Sequence, residues 1–159
     1  HSKESNRPVW ISNEYSRQHA HGLRSREQAI LVGHNTWLED KPKLTAYRWD
    51  ENNPTIIVLG GSQRPAKEVL WIPSDSVDTI GELLDELYKN NIQSLLVEGG
   101  AITLRQFIDA ELWDECYIYQ SSNVWPEGLK APRMPNKPKA IAEFVNDQLL
   151  YFSKNNESL

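Results

Sequence analysis

Leu95-Leu96-Val97-Glu98-Gly99-Gly100-Ala101, continuing into Ile102-Thr103-Leu104-Arg105-Gln106-Phe107-Ile108, is the stretch whose reading decides the fold. The apolar run predicts a buried strand, and the two glycines predict a turn where a ligand can approach the backbone. The residues after them start a helix. Such a start presents backbone N–H groups without intrahelical acceptors, backed by the positive end of the helix dipole, which suits a phosphate. Glu98 stands at the strand's carboxyl end, where open α/β sheets bring ligand-contacting groups. A Gly-Gly turn also serves simply to reach φ > 0, so this motif alone names no ligand.

Outward from it, residues 29–32, 55–59 and 69–72 are further apolar runs. Their lack of alternation marks strands covered on both faces. Helices are expected at about 14–25, 79–89 and 102–110, the second from the spacing of Ile80, Leu83, Leu84 and Leu87. On the first, Tyr15, His19 and Leu23 predict a buried stripe, with Ser12 or Asn13 as its cap after the short run Val9-Trp10-Ile11. Residues 115–119 read as a strand, and four prolines between Pro126 and Pro138 enforce a loop. Residues 140–145 and 149–152 then form a hairpin turning at Asn146-Asp147. Strands alternating with helices predict an α/β fold whose mostly parallel central sheet is flanked by helices, closed by an antiparallel C-terminal hairpin. The 122–139 loop exceeds ordinary connection lengths and reads as a flap or subunit contact.

At 159 residues the chain is long enough for one domain with a full core. A net charge of −5 from 17 basic and 22 acidic residues argues against general binding to nucleic acid or anionic membranes. Arg7, Arg17, Arg24, Arg26 and Arg48 still leave room for a local anion site. The single cysteine, Cys116, forms no intrachain disulfide and offers no thiolate metal spacing, which points to a reduced, cytoplasmic setting. No apolar run reaches the length of a membrane helix, and no signal peptide is visible. Residues 1–7 read as a tag remnant or disordered loop, and 8–159 as the domain.

Three junctions follow predicted strands: Gly33 to Thr36, Gly60-Gly61-Ser62, and Glu98 to Thr103. In a parallel sheet all three emerge at one edge, and glycine with hydroxyl suits phosphate oxygens. Their convergence points to a phosphorylated or dinucleotide ligand. G-x-G-x-x-G and Walker-type patterns are absent. His19 and His21 are two apart and so face apart on a helix, giving no metal site; His21 reads as structural or surface. Asp40, before Lys41-Pro42, is a turn aspartate or an acceptor for ribose or amide groups. Arg24 and Arg48 are either solvated surface residues or bidentate phosphate ligands.

Read in order, three segments resemble a known family. They are Trp10-Ile11-Ser12…Ser16-Arg17…His21-Gly22-Leu23-Arg24; Ala29-Ile30-Leu31-Val32-Gly33-x-x-Thr36-x-x-x-Asp40-x-Pro42-x-Leu44-Thr45; and Leu96-Val97-Glu98-Gly99-Gly100-Ala101 with Glu111-Leu112-Trp113-Asp114-Glu115 behind it. The chain resembles the reductase domain of the bifunctional riboflavin-biosynthesis deaminase/reductase, a dihydrofolate-reductase-like three-layer sandwich.

The resemblance implies NADPH-dependent reduction of 5-amino-6-(5-phosphoribosylamino)uracil, with hydride passing to C1′ of the opened sugar. It implies that Trp10, Thr36, Asp40 and Ser62 contact the cofactor, and that Gly100, Ala101, Ile102 and Thr103 hold its phosphates. Arg24, Leu44, Arg48 and Glu98 would contact the substrate, with Glu98 and Asp40 as the catalytic pair. It also implies a homodimer, with a deaminase domain elsewhere in the full-length protein. The chain departs from the family pattern in four ways. The family's first strand is missing. Leu44-Thr45-Ala46-Tyr47-Arg48 is one residue longer than usual, Gly60-Gly61 precedes Ser62, and Pro8 stands where a small hydroxyl residue is common. Two alternatives remain open: a non-catalytic reductase-like fragment acting through assembly, and a reductase of a related pyrimidine or pteridine.

Overall fold

Ala29, Ile30, Leu31 and Val32 retain at most 1% of their exposure, because their strand is central to a sheet with side chains packed on both faces. The computed structural model describes residues 12–46, 53–123 and 129–154. The run at 9–11, with Trp10 and Pro8, lies outside the described residues, as do Arg48 and the Pro126 end of the long loop. Elements follow in the order α1 (Glu14–Arg26), β1 (Ala29–Gly33), α2 (His34–Asp40), β2 (Thr55–Leu59), β3 (Leu70–Ile72), α3 (Ile80–Lys89), β4 (Leu95–Val97), α4 (Ala101–Asp109), β5 (Glu115–Ser121), β6 (Ala140–Phe144) and β7 (Asp147–Ser153). The described residues divide into two compact units, one spanning 20–113 and 129–134, the other 12–19, 114–123 and 135–154.

In the first unit a parallel sheet runs β3-β2-β1-β4. Ala29 stands beside Thr55 on one side and Leu95 on the other. The strand period sends Ala29, Leu31 and Ile57 to one face, where they pack with Leu83 and Leu87 of α3 and Phe107 of α4. Ile30, Val32 and Val58 go to the other face, with Leu44, Val69 and Trp37 of α2. Helix, sheet and helix are the three layers expected from the sequence.

A capping box not foreseen from the sequence starts α3. Thr79 Oγ1 accepts the Glu82 N–H at 3.1 Å, and the Glu82 carboxylate accepts the Thr79 N–H at 3.3 Å. Leu31 is 0% exposed and touches both helices' cluster. Leu31→Ala is therefore expected to cost about 2–5 kcal/mol, read from the urea unfolding midpoint at unchanged slope.

The second unit is an antiparallel sheet in the order β5-β7-β6, with Tyr117 opposite Tyr151 and Phe144 opposite Asp147. The hairpin forms as expected, but its turn lies at Val145-Asn146, Val145 taking φ 60. Asp147 opens β7 and is buried at 2% exposure. A buried carboxylate must find donors, and it takes the Asn13 N–H at 2.7 Å and the Ser16 hydroxyl at 2.6 Å. Asn13 Oδ1 in turn accepts the Ser16 N–H at 3.0 Å, capping α1.

This anchoring corrects the expected stripe. Ser16 is buried, Tyr15 is 61% exposed, and His19 and Leu23 are half-buried. The hydrogen-bonding demand of Asp147, a partner distant in sequence, outweighs the helical apolar period. Among the described residues no helix is long and apolar enough to cross a membrane.

Candidate functional site

Parallel pairing of β2, β1 and β4 puts the carboxyl ends of all three strands at one edge, so the three expected junctions come together. Their glycines report how closely. A Cβ at Gly33 would stand 2.6 Å from Thr103 Oγ1, and one at Gly100 would stand 2.8 Å from Thr36 Oγ1. A Cβ at Gly99 would press on Val32, 3.0 Å from its Cα. Gly99 is thus required by close backbone contact, and Gly100 by its φ of 67°.

Helix α4 begins at Ala101 with no side-chain cap, and the Leu104 N–H bonds back to the Gly100 carbonyl of the turn at 3.0 Å. The N–H groups of Ala101, Ile102 and Thr103 precede that bond and point out of the helix start. Thr36 and buried Thr103 therefore flank a glycine turn with donors behind it, as the sequence predicts. The Ile102 side chain is 77% exposed, so the helix start can use only its backbone.

The Glu98 carboxylate is held by both arms of one guanidinium. Arg24 Nε donates to Oε1 and Nη2 to Oε2, each at 2.6 Å. The two side chains keep 17% and 23% of their exposure, which makes this a partly buried fork-to-fork pair. Arg24 Nη1 also donates to the Thr45 carbonyl at 3.2 Å, and His21 Nδ1 reaches the same oxygen at 2.6 Å. Two residues expected to meet a ligand separately are thus one unit, and His21, which reads as structural or surface, braces it through Thr45. Proximity of Glu98 and Arg24 comes from sheet order and helix packing, and no local pattern could reveal it.

Asp40, expected in a turn, is the last residue of α2, with Lys41 closing the helix at φ 43. Thr36 and Asp40 are four apart on that helix and share a face. Leu44 is 3% exposed and its side chain belongs to the core with Ile30 and Val58, leaving only its backbone for a ligand. Ser62 is exposed beyond Gly60 and Gly61, whose φ values are 95° and 76°. His34, directly after β1, lays its ring on Gly61. A cavity of about 450 Å³ opens along α4, lined by Ala101, Ile102, Arg105 and Leu129. It meets the candidate site only at the helix start. Away from this edge, burial pushes the Cys116 thiol up, and the hydrogen bond to Glu115 pushes Tyr151 up.

The sequence model of a family described as the RibD C-terminal domain matches residues 2–125. The chain is 32% identical over 135 residues to the riboflavin biosynthesis protein RibD of Corynebacterium ammoniagenes, a match taking in 79% of this chain and 40% of that protein. Against the 2,5-diamino-6-ribosylamino-4(3H)-pyrimidinone 5′-phosphate reductase of Aquifex aeolicus it is 26% identical over 137 residues, with 66% of this chain and 61% of that protein covered. The chain spans about 40% of the length of the first RibD relatives it matches. The crystal structure of a deaminase/5-amino-6-(5-phosphoribosylamino)uracil reductase from Thermotoga maritima superposes with a TM-score of 0.74 at 23% identity. That superposition covers 91% of this chain and 50% of that one and shows a shared fold.

Proposed function

The chain belongs to the RibD C-terminal domain family, and on that premise we propose that it is an NADPH-dependent reductase of a phosphoribosylamino-pyrimidine in riboflavin biosynthesis. The substrate we assign is 5-amino-6-(5-phosphoribosylamino)uracil, reduced at C1′ to the ribitylamino product. The observation that carries the reading is one sheet edge bearing both an uncapped helix start after Gly99-Gly100 and a carboxylate fixed by a guanidinium. The relatives point the same way: one is a riboflavin biosynthesis protein and another a pyrimidinone phosphate reductase.

The residues at the helix start fit a dinucleotide phosphate. Gly100 has no side chain to cap the helix, and Thr36 and Thr103 bring hydroxyls to the turn. Thr36, Gly100, Ala101, Ile102 and Thr103 would hold the cofactor there, with Asp40 on the same helix face as Thr36 and Ser62 beyond the second junction. Trp10 is assigned to the cofactor, and Arg48 to the substrate, by resemblance alone. When bound, NADPH supplies the hydride that reduces C1′.

The protein's own part is orientation. Arg24 locks both Glu98 oxygens, so the carboxylate meets the opened sugar in one geometry and accepts its polar hydrogens without rotating. The remaining exposure of Arg24 faces the anionic substrate, and the Leu44 backbone completes that side. Assembly as a homodimer, a deaminase domain in the full-length protein and a cytoplasmic location belong to the same proposal.

The test is titration of the chain with NADPH and NADH, followed by protein fluorescence, and then turnover with the phosphoribosylamino-uracil. Saturable NADPH binding and NADPH consumption with that substrate are the expected results. Failure to bind either nucleotide would end the reductase reading.

A further inference from the structure

His21 and Arg24 are three apart on α1 and share a face of it, and both reach one acceptor, the Thr45 carbonyl. His21 Nδ1 stands 2.6 Å from that oxygen, and Arg24 Nη1 stands 3.2 Å from it. A carbonyl can only accept, so His21 Nδ1 carries the proton in this contact, whatever the charge of the ring. The 3.4 Å approach of Arg24 Nη1 to His21 Nδ1 is then two donors meeting at one acceptor, not a bond between them.

The acceptor is itself held. The peptide unit that carries the Thr45 oxygen also carries the Ala46 N–H, which donates to Asn53 Oδ1 at 3.0 Å. Ala46 is buried, and on the other side of Thr45 the buried Leu44 takes φ 49. That conformation strains a bulky residue and persists only where its surroundings enforce it. One peptide plane is thus pinned at its oxygen by two side chains of α1 and at its nitrogen by Asn53.

Arg24 gives its other two nitrogens to Glu98, Nε and Nη2 each at 2.6 Å. Those two bonds alone would let carboxylate and guanidinium swing together as one unit. A guanidinium is planar and rigid, so anchoring Nη1 as well fixes its plane, and the plane fixes both carboxylate oxygens. We propose that His21 is a positioning residue: by donating from Nδ1 to the Thr45 carbonyl it sets the third anchor of Arg24, and through Arg24 it sets the orientation of the Glu98 carboxylate. It acts through Arg24, with no contact of its own to cofactor or sugar. The kinetic consequence rests on the reductase reading above.

The test compares the wild type with His21→Ala, His21→Asn and His21→Gln. The Asn amide nitrogen can stand where Nδ1 stands, and the longer Gln amide where Nε2 stands. Alanine keeps the helix, being its best former. His21→Ala and His21→Gln are expected to lower kcat with the phosphoribosylamino-uracil about tenfold while the KM for NADPH changes less than about twofold. His21→Asn should restore most of that loss. Added to Arg24→Ala, His21→Ala should cost less than about twofold more, because its effect passes through Arg24. A second readout needs no turnover. The Arg24 Nε–H signal in a nitrogen–proton NMR spectrum, sharp and slowly exchanging in the wild type, should broaden in His21→Ala and return in His21→Asn. Equal behaviour of the Asn and Gln variants, a full His21→Ala loss on top of Arg24→Ala, or an Arg24 signal unchanged in His21→Ala overturns the proposal. Wild-type protein without turnover overturns the reductase reading instead, and the Arg24 signal then decides the role of His21 by itself.

Discussion

Glu98→Gln is expected to lower turnover about a hundredfold while NADPH affinity stays within about threefold. The substitution keeps the size of the side chain and removes its charge. One of the two Arg24 bonds, each 2.6 Å in the native pair, then sets an amide donor against a guanidinium donor, and the carboxamide turns to escape it. On the proposed reading, the reacting sugar would lose both an anionic acceptor and a fixed one.

Arg24→Ala should damage the same step from the other side. It leaves a partly buried carboxylate without its partner, and the substrate's Michaelis constant should rise with it. Because the two residues act as a unit, the double variant should be far less impaired than the product of the single effects. Additive losses in steady-state kinetics would show that Arg24 and Glu98 act independently. Collapse of NADPH binding in Glu98→Gln would assign Glu98 to the cofactor instead.

Gly100→Ala should weaken NADPH at least about thirtyfold and destabilise the fold by about 1–3 kcal/mol. At φ 67° and ψ 132° an L side chain is strained, and its Cβ would stand 2.8 Å from Thr36 Oγ1. Relief requires the turn to move, which tilts the first N–H groups of α4 and pushes the Thr36 hydroxyl aside. Gly81→Ala is the internal control. That glycine lies in α3, where the added Cβ meets nothing closer than 3.8 Å, so stability should be kept or slightly raised and NADPH affinity unchanged. Equal nucleotide binding by wild type and Gly100→Ala, measured by the same titration, would remove the helix start from the cofactor site.

The strand and helix order was legible from the sequence because each element announces itself over a few residues. Ala29-Ile30-Leu31-Val32 has no polar position to expose, so it predicts a strand with both faces covered, and β1 is the centre of its sheet. The three glycine-bearing junctions were legible too. Once the sheet is parallel, strand ends must share an edge, whatever the packing details. Thr36, Gly100 and Thr103 come together for that reason.

What each side chain does at that edge was decided by tertiary structure. Arg24 and Glu98 read as two ligand residues, and only the folding of α1's last turn beside β4 makes them one bidentate pair with Thr45 and His21 behind it. Leu44 read as a substrate contact, yet its side chain completes the core. Tyr15 read as buried, yet Asp147, 131 positions beyond Ser16, draws Ser16 inward instead. The His34 ring fills the space left by Gly61, a contact between two junctions that no local pattern reveals. Sequence pattern therefore determined the elements, their order and the edge at which the glycine-bearing junctions meet, since periodicity and backbone freedom act locally. Partners were settled only by the fold, because hydrogen bonds and ion pairs between residues distant in the chain depend on which surfaces are pressed together.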